Sequence, residues 1–242
     1  MSNYKTKKQG GEMWVAEIWR YPVKSLAGEQ LEVAELNTDG IAGDRRVLVY
    51  NEQTRRIITS RTHPKLLGLK ATLGSDGEPL INGRPWDDPE SAHAIVSAAG
   101  PHARLMQWDG LERFDILPLL VATDGAIEAF GYDRRRLRPN IIIGGVQGLA
   151  EREWPGRQVR IGKAVIEFAQ LRGRCVMTTY DPDTLKQDHA VLRHIVKEFG
   201  GTLALDTAVI RGGRIAVGDR VDFLQEHRDD VVSQMFEDTL AQ

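Results

Sequence analysis

Leu31-Glu-Val-Ala-Glu-Leu-Asn-Thr-Asp-Gly-Ile-Ala-Gly-Asp-Arg-Arg-Val-Leu-Val-Tyr50 sets the pattern of the whole chain. Two runs of strand character, Leu31–Leu36 and Arg45–Tyr50, flank the turn signal Thr38-Asp39-Gly40. Apolar and β-branched side chains between turn formers fit a pleated, half-buried surface. The same style continues outward on both sides. Trp14–Trp19 precedes the stretch, and Arg56–Thr59, Leu66–Leu73 and Glu78–Asn82 follow it. The last ends in Asn82-Gly83, a hairpin turn dipeptide. Further on, Ile141–Ile143, Val159–Ile161, Ala164–Ala169, Val176–Thr179, Arg214–Val217 and Val221–Leu224 read as strands. Turns spaced by roughly ten residues point to a sandwich or barrel. Two helices interrupt the pattern. Asp124–Phe130 is short; Asp188–Phe199 carries Leu192, Ile195, Val196 and Phe199 on one stripe and stops at Gly200-Gly201. The class is mainly β (α+β).

The chain has 242 residues, 41% hydrophobic and 27% charged, with a formal net charge of −2. Those are ordinary values for a soluble globular protein. Nothing in the overall charge calls for nucleic acid. Residues 1–12 read as a polar disordered leader, 13–105 as a β-rich segment, 106–225 as a core domain, and 226–242 as a tail with a possible helix. The longest apolar run, Ile116 to Ala122, is broken by Pro118 and falls far short of a membrane span. With one cysteine and no secretory signal, the expectation is a cytoplasmic protein without a membrane partner. G-x-G-x-x-G, phosphate-loop and His-Glu-x-x-His motifs are absent. A single thiol also excludes a multi-cysteine zinc site.

That thiol is Cys175, in Leu171-Arg-Gly-Arg-Cys-Val-Met-Thr-Thr-Tyr-Asp-Pro-Asp-Thr184. It is either an inert small hydrophobe or a reactive group, and Arg172 and Arg174 beside it favour the thiolate. Four other segments carry candidate chemistry. In Tyr21-Pro-Val-Lys-Ser25, Lys24 and Ser25 could grip a phosphate or simply form a solvated turn. Gly40-Ile-Ala-Gly-Asp-Arg-Arg46 is a glycine-bounded loop or a plain β turn. Asp124, after Thr123, could be no more than a helix cap. Arg134-Arg-Arg-Leu-Arg-Pro-Asn140 places four arginines before a strand, which suits a bound anion or a charged solvated loop.

The order of these segments resembles the MOSC family, the molybdenum cofactor sulfurase C-terminal domain and its stand-alone relatives. The closer likeness is to the group that joins a β-rich MOSC N-terminal segment to a barrel-like MOSC core. That group includes the mitochondrial amidoxime-reducing component and its bacterial counterparts. The resemblance runs from about Trp14 to Leu224. It rests on Tyr21-Pro-Val-Lys-Ser25, Gly43-Asp-Arg45, Thr59-Ser-Arg61, Arg138-Pro-Asn140, Arg174-Cys175, Thr178-Thr-Tyr-Asp-Pro-Asp-Thr184 and Ile215-Ala-Val-Gly-Asp219.

The resemblance implies a molybdenum–molybdopterin cofactor with Cys175 as the metal's thiolate ligand. It places Lys24, Ser25, Arg45, Arg61 and Arg138 around the pterin and its phosphate, with Thr123, Asn140 and Arg174 nearby. Asp124 is expected beside the metal, relaying a proton. The implied activity is reduction of N-hydroxylated substrates, amidoximes and hydroxylamino purines, by oxygen-atom transfer to molybdenum. A separate flavin or iron–sulfur protein would supply electrons, because a fused ferredoxin domain needs several cysteines. Two alternatives use the same residues. One is a sulfur carrier with a persulfide on Cys175; the other is a non-catalytic carrier of the cofactor.

Overall fold

Ala164, Ile166 and Phe168 alternate along one strand, and all three are fully buried in a single cluster with residues from nine other strands. The computed structural model describes residues 11–224. All but the last two residues of the expected leader, and the whole of the expected tail, lie outside that range. Seven strands close a barrel, numbered here among themselves. They are β1 Met13–Arg20, β2 Leu119–Thr123, β3 Ile141–Gly144, β4 Gln158–Ile161, β5 Ala164–Gly173, β6 Thr202–Arg211 and β7 Arg220–Phe223. Around the barrel the order is β1-β3-β2-β6-β5-β4-β7 and back to β1, which pairs with both β7 and β3. Only β2 and β3 run parallel. Closure removes the sheet edges that would otherwise stay unpaired.

The interior is filled by Val15 and Ile18 of β1, Val121, Ile141, Ile143, Val159, Ile161, Leu205 and Val221, together with the β5 residues. Val15 and Ile18 are three apart, which breaks the period of two. A register shift between Val15 and Glu17 restores the facing. Residues from both halves of the chain therefore build one barrel. A second interlock pairs Val33–Asn37 with Gly213–Ala216.

The rest of the N-terminal half has its own core of Val23, Leu26, Val47, Val49, Leu66, Ile81 and Ile95. Val47–Asn51 pairs with Arg56–Ile58 and Ala103–Gln107, and a smaller sheet joins Ala71–Leu73, Pro79–Ile81 and Arg84–Pro85. Helix α1, Pro89–Ala99, covers this core with Ile95 and Ala99. Helices α2, Asp124–Phe130, and α3, His189–Phe199, share a third cluster against the barrel.

Several expectations need correction. The sequence reading has two helices before the tail and assigns no element to α1. Its signals were Asp88 as cap, Pro89 in the first turn and Gly100 as stop. Leu66–Leu73 is not one strand; Pro64–Gly68 is a 3-10 helix, and pairing begins at Ala71. Val176–Thr179 is also a 3-10 turn, because the Thr178 and Thr179 hydroxyls bond back to the carbonyls of Cys175 and Val176. The buried stripe of α3 is Val191, Ile195 and Phe199, while Val196 is 58% exposed. Strands β2 and β6 went unassigned because both are buried on both faces and show no alternation. Among the described residues, no helix is long and apolar enough to cross a membrane.

Candidate functional site

Strand β5 delivers Arg172, Gly173, Arg174 and Cys175 to the place where the N-terminal unit meets the outer wall of the barrel. The Arg174 amide is tied to Gly201 O at 2.9 Å, and the Cys175 carbonyl accepts from Thr178 N and Oγ1. These bonds fix the backbone and leave the half-buried thiol free. It lines a cavity of about 250 Å3 with Arg45, Arg61, Asp115, Arg136, Arg138, Arg172 and Arg174. An adjoining cavity of about 120 Å3 brings Lys24, Ser25 and Thr59 to the same wall. Seven cations thus line the two cavities against one carboxylate, Asp115. Such a wall suits a multiply charged anion.

The wall is held from behind by Asp44, whose side chain is fully buried. It accepts from Tyr21 N at 2.6 Å and Asn140 Nδ2 at 3.3 Å, and pairs with Arg45. Asn140 in turn donates to Trp19 O and accepts from Leu120 N, locking β1 to β2. Ser25, Arg45 and Arg138 all adopt left-handed backbone, with φ of 75°, 52° and 57°. Non-glycine residues enter that region only when the surroundings impose it, and such positions cluster at binding sites. The Arg138 guanidinium stacks on the Tyr21 ring, 4.3 Å from its centroid.

Charge is balanced unevenly. Asp115 bridges Lys24 at 3.1 Å and Arg172 at 3.9 Å, and Arg172 reaches the buried Asp206 at 3.2 Å. Lys24 Nζ also donates to Glu112 O and Arg113 O, so its three N–H groups are spent on the 112–115 segment. Arg138 and Arg61 have no carboxylate partner among the described residues, and Arg174 donates only to Leu137 O. Burial, with Arg172 alongside, pulls Arg174 down to about 10, which still leaves it charged at neutral pH. The Nε atoms of Arg136 and Arg174 are buried with no acceptor. Unpaired buried donors are costly and call for a partner.

Two shifts predict a pH profile. Burial pulls Lys24 below its usual value, against the attraction of Asp115. Burial pushes Asp115 up, but Lys24 and Arg172 outweigh it and hold the carboxyl below its usual range. For a lowered carboxylate, the stabilising charge is present above the unfolded value of about 3.9 and lost as pH falls through the lower folded one. Calorimetric binding of pyrophosphate should therefore hold through neutral pH and weaken on the alkaline side before an ordinary lysine discharges. Affinity that stays level until lysine's usual range would contradict the Lys24 environment.

The structure brings together Cys175, Arg174, Arg138, Arg45, Arg61, Lys24 and Ser25. It does not bring Thr123, Asp124 or Asn140 to either cavity. Asp124 was expected beside the metal; instead its two oxygens accept from the amides of Gly125, Gly145 and Val146 at 2.7–3.0 Å. Thr123 caps α2 and donates to Glu151. The cavity carboxylate is Asp115, which the sequence reading missed. Asp44, in the Gly43-Asp-Arg45 motif, was quoted without a role. Among the described residues, no group of three or more His, Cys, Asp and Glu could hold a metal unaided.

A third and larger cavity, about 750 Å3, shares Arg136, Arg138 and Met177 with the Cys175 cavity. Trp19, Tyr21 and Tyr180 contribute its aromatic surface.

Comparison with known proteins bears on this arrangement. Residues 12–100 match the MOSC N-terminal beta barrel domain, and residues 124–222 match the MOSC domain. The chain is 28% identical to mitochondrial amidoxime-reducing component 1 of Mus musculus, over 70% of this chain and 66% of that protein. It is 23% identical to the Homo sapiens counterpart, over 70% and 67%. The chain thus spans about two thirds of the length of these relatives. Among solved structures, the YUAD protein from Bacillus subtilis is similar with a TM-score of 0.48 and 14% identity, covering 88% of this chain and 96% of that one.

Proposed function

The chain belongs to the MOSC family, with a MOSC N-terminal domain and a MOSC domain, and on that premise we propose that it is a molybdenum-cofactor oxidoreductase of N-hydroxylated compounds, amidoximes and hydroxylamino purines among them. The observation that carries this reading is a free thiol opening on an arginine wall in which two buried Nε donors lack acceptors. A cofactor with a phosphate and a sulfur-liganded metal fits that donor set. Soft thiolate suits molybdenum, and guanidinium forks suit phosphate. Cys175 would hold the metal, with Arg45, Arg61, Arg138, Arg174 and Ser25 around the pterin and phosphate. Lys24 would act by holding the 112–115 segment in place. When bound, the cofactor supplies two-electron redox chemistry for breaking an N–O bond.

The net reaction consumes two electrons and two protons. The N–O bond breaks, an N–H bond replaces it, and the oxygen leaves as water. A flavin or iron–sulfur partner would deliver the electrons, since the one cysteine of this sequence is committed to the metal in this reading. A lone reactive thiol suits a reducing, cytoplasmic setting. Protons would pass through Asp115, the one carboxylate on the wall among the described residues, which is ionised at neutral pH and half exposed to solvent. Asp115 thereby takes the role expected of Asp124.

The test is benzamidoxime reduction by the molybdenum-loaded protein with reduced viologen as electron source. Wild type should turn over. Asp115→Asn should lose roughly 10²-fold in kcat, the usual scale of a positioned proton-transfer group, while keeping its cofactor. Full activity in Asp115→Asn would refute the proton role; no turnover in loaded wild type would refute the reductase reading.

A further inference from the structure

The 750 Å3 cavity has a charge pattern that the reductase reading does not use. Its near end is the wall shared with the Cys175 cavity through Arg136, Arg138 and Met177. Its lining also includes Lys70, which lines neither of the smaller cavities. The carboxylates facing this space are already spent. Glu29 takes Arg20 at 2.8 Å and the Leu73 amide at 2.9 Å. Asp183 takes Arg135 at 2.7 Å, and Arg136 is paired with Asp181 at 3.0 Å. The Lys70 ammonium has no ion pair or hydrogen bond among the described residues; only its backbone is engaged, the amide donating to Asn82 Oδ1 and the carbonyl accepting from Asn82 N. The space therefore offers aromatic side chains and, on lining that it does not share with the thiol's cavity, a cation without an ion pair. A planar ring gains from stacking on Trp19 or Tyr180, and an anion on it gains from Lys70.

We infer that this cavity is the outer half of the substrate site, and that it selects planar aromatic N-hydroxylated molecules carrying an anionic group opposite the N–OH, with Lys70 as the selecting cation. The assignment of the N–OH end rests on the reductase reading; the preference for an anionic ring does not.

Calorimetry on the as-isolated holoprotein, without reductant, separates the two. Benzamidoxime, 4-carboxybenzamidoxime and 4-(aminomethyl)benzamidoxime are titrated into wild type and Lys70→Glu. Wild type should bind the carboxylated ring about fivefold more tightly than the plain one, the scale of one partly solvated charge pair. Lys70→Glu should reverse the order in favour of the aminomethyl ring. Lys70 is exposed and its side chain bonds nothing, so the variant keeps the fold. Equal affinities in wild type, or a carboxylate preference that survives charge reversal, would overturn the inference. Steady-state reduction of the same compounds reads the other premise. Absence of turnover with all three would sink the reductase reading while the binding order still decides the subsite.

Discussion

Cys175→Ala should cut molybdenum-dependent reduction of benzamidoxime by a hundredfold or more, with the fold intact. Loss of a group that hydrogen-bonds to a metal ligand costs about 10–100-fold, and loss of a direct ligand belongs at or beyond the top of that range. The fold should survive because the thiol makes no hydrogen bond and no disulfide. The local structure is carried by the Cys175 carbonyl, which accepts from Thr178, and by the neighbouring Arg174 amide. Alanine occupies the same extended backbone, φ −133° and ψ −177°, without strain. The far-ultraviolet spectrum and thermal midpoint should therefore match wild type. Turnover of the loaded variant at wild-type rate would remove the thiol from the mechanism. A collapse of the thermal midpoint would mean that the side chain is structural.

The second large effect is on stability. Asp44→Ala should destabilise the protein by about 3–5 kcal/mol, the usual cost of breaking a buried ion pair from one side. Asp44 has no solvent exposure and meets three partners at once: the Tyr21 amide, the Asn140 amide group and the Arg45 guanidinium. Removing it leaves two buried donors without an acceptor and a half-buried cation without its counter-charge. For a domain of this size, the thermal midpoint should fall by roughly 10 °C. Arg45 and Asn140 would lose their orientation together, so pyrophosphate affinity should fall in the same variant. Asp44→Glu, which keeps the charge, should recover part of the affinity. A midpoint within a degree or two of wild type would show that Asp44 does not hold the wall.

Five of the seven barrel strands were legible in the sequence, where short β-branched or aromatic runs lie between turn signals, Ile141–Ile143 among them although it is buried throughout. Ala164–Ala169 reads as a strand, and it is the first part of β5, where Ala164, Ile166 and Phe168 face the core. Strands β2 and β6 are buried on both faces and lack the polar–apolar alternation that marks a half-buried strand. Helix α1 carried clear capping signals at Asp88, Pro89 and Gly100, and they were outweighed by the small-residue composition around them. At the site, residues within motifs were legible: Cys175, Arg174, Arg138, Arg45, Arg61, Lys24 and Ser25 converge. Asp115 was not. It sits in Phe114-Asp-Ile-Leu-Pro118, and nothing in that stretch reveals that Lys24 and Arg172 approach it from distant parts of the chain. Asp124 misled for the opposite reason. A carboxylate at a helix start invites a functional reading, yet here it serves the backbone amides of Gly125, Gly145 and Val146.

The most direct test of the central claim is the molybdenum content of freshly purified protein from a cofactor-replete host, measured by elemental mass spectrometry for wild type and Cys175→Ser in parallel. The account predicts near-stoichiometric molybdenum in wild type and its loss or marked depletion in the variant. Molybdenum absent from wild type, or equal in both proteins, would contradict it and leave the thiol to be explained as a sulfur carrier.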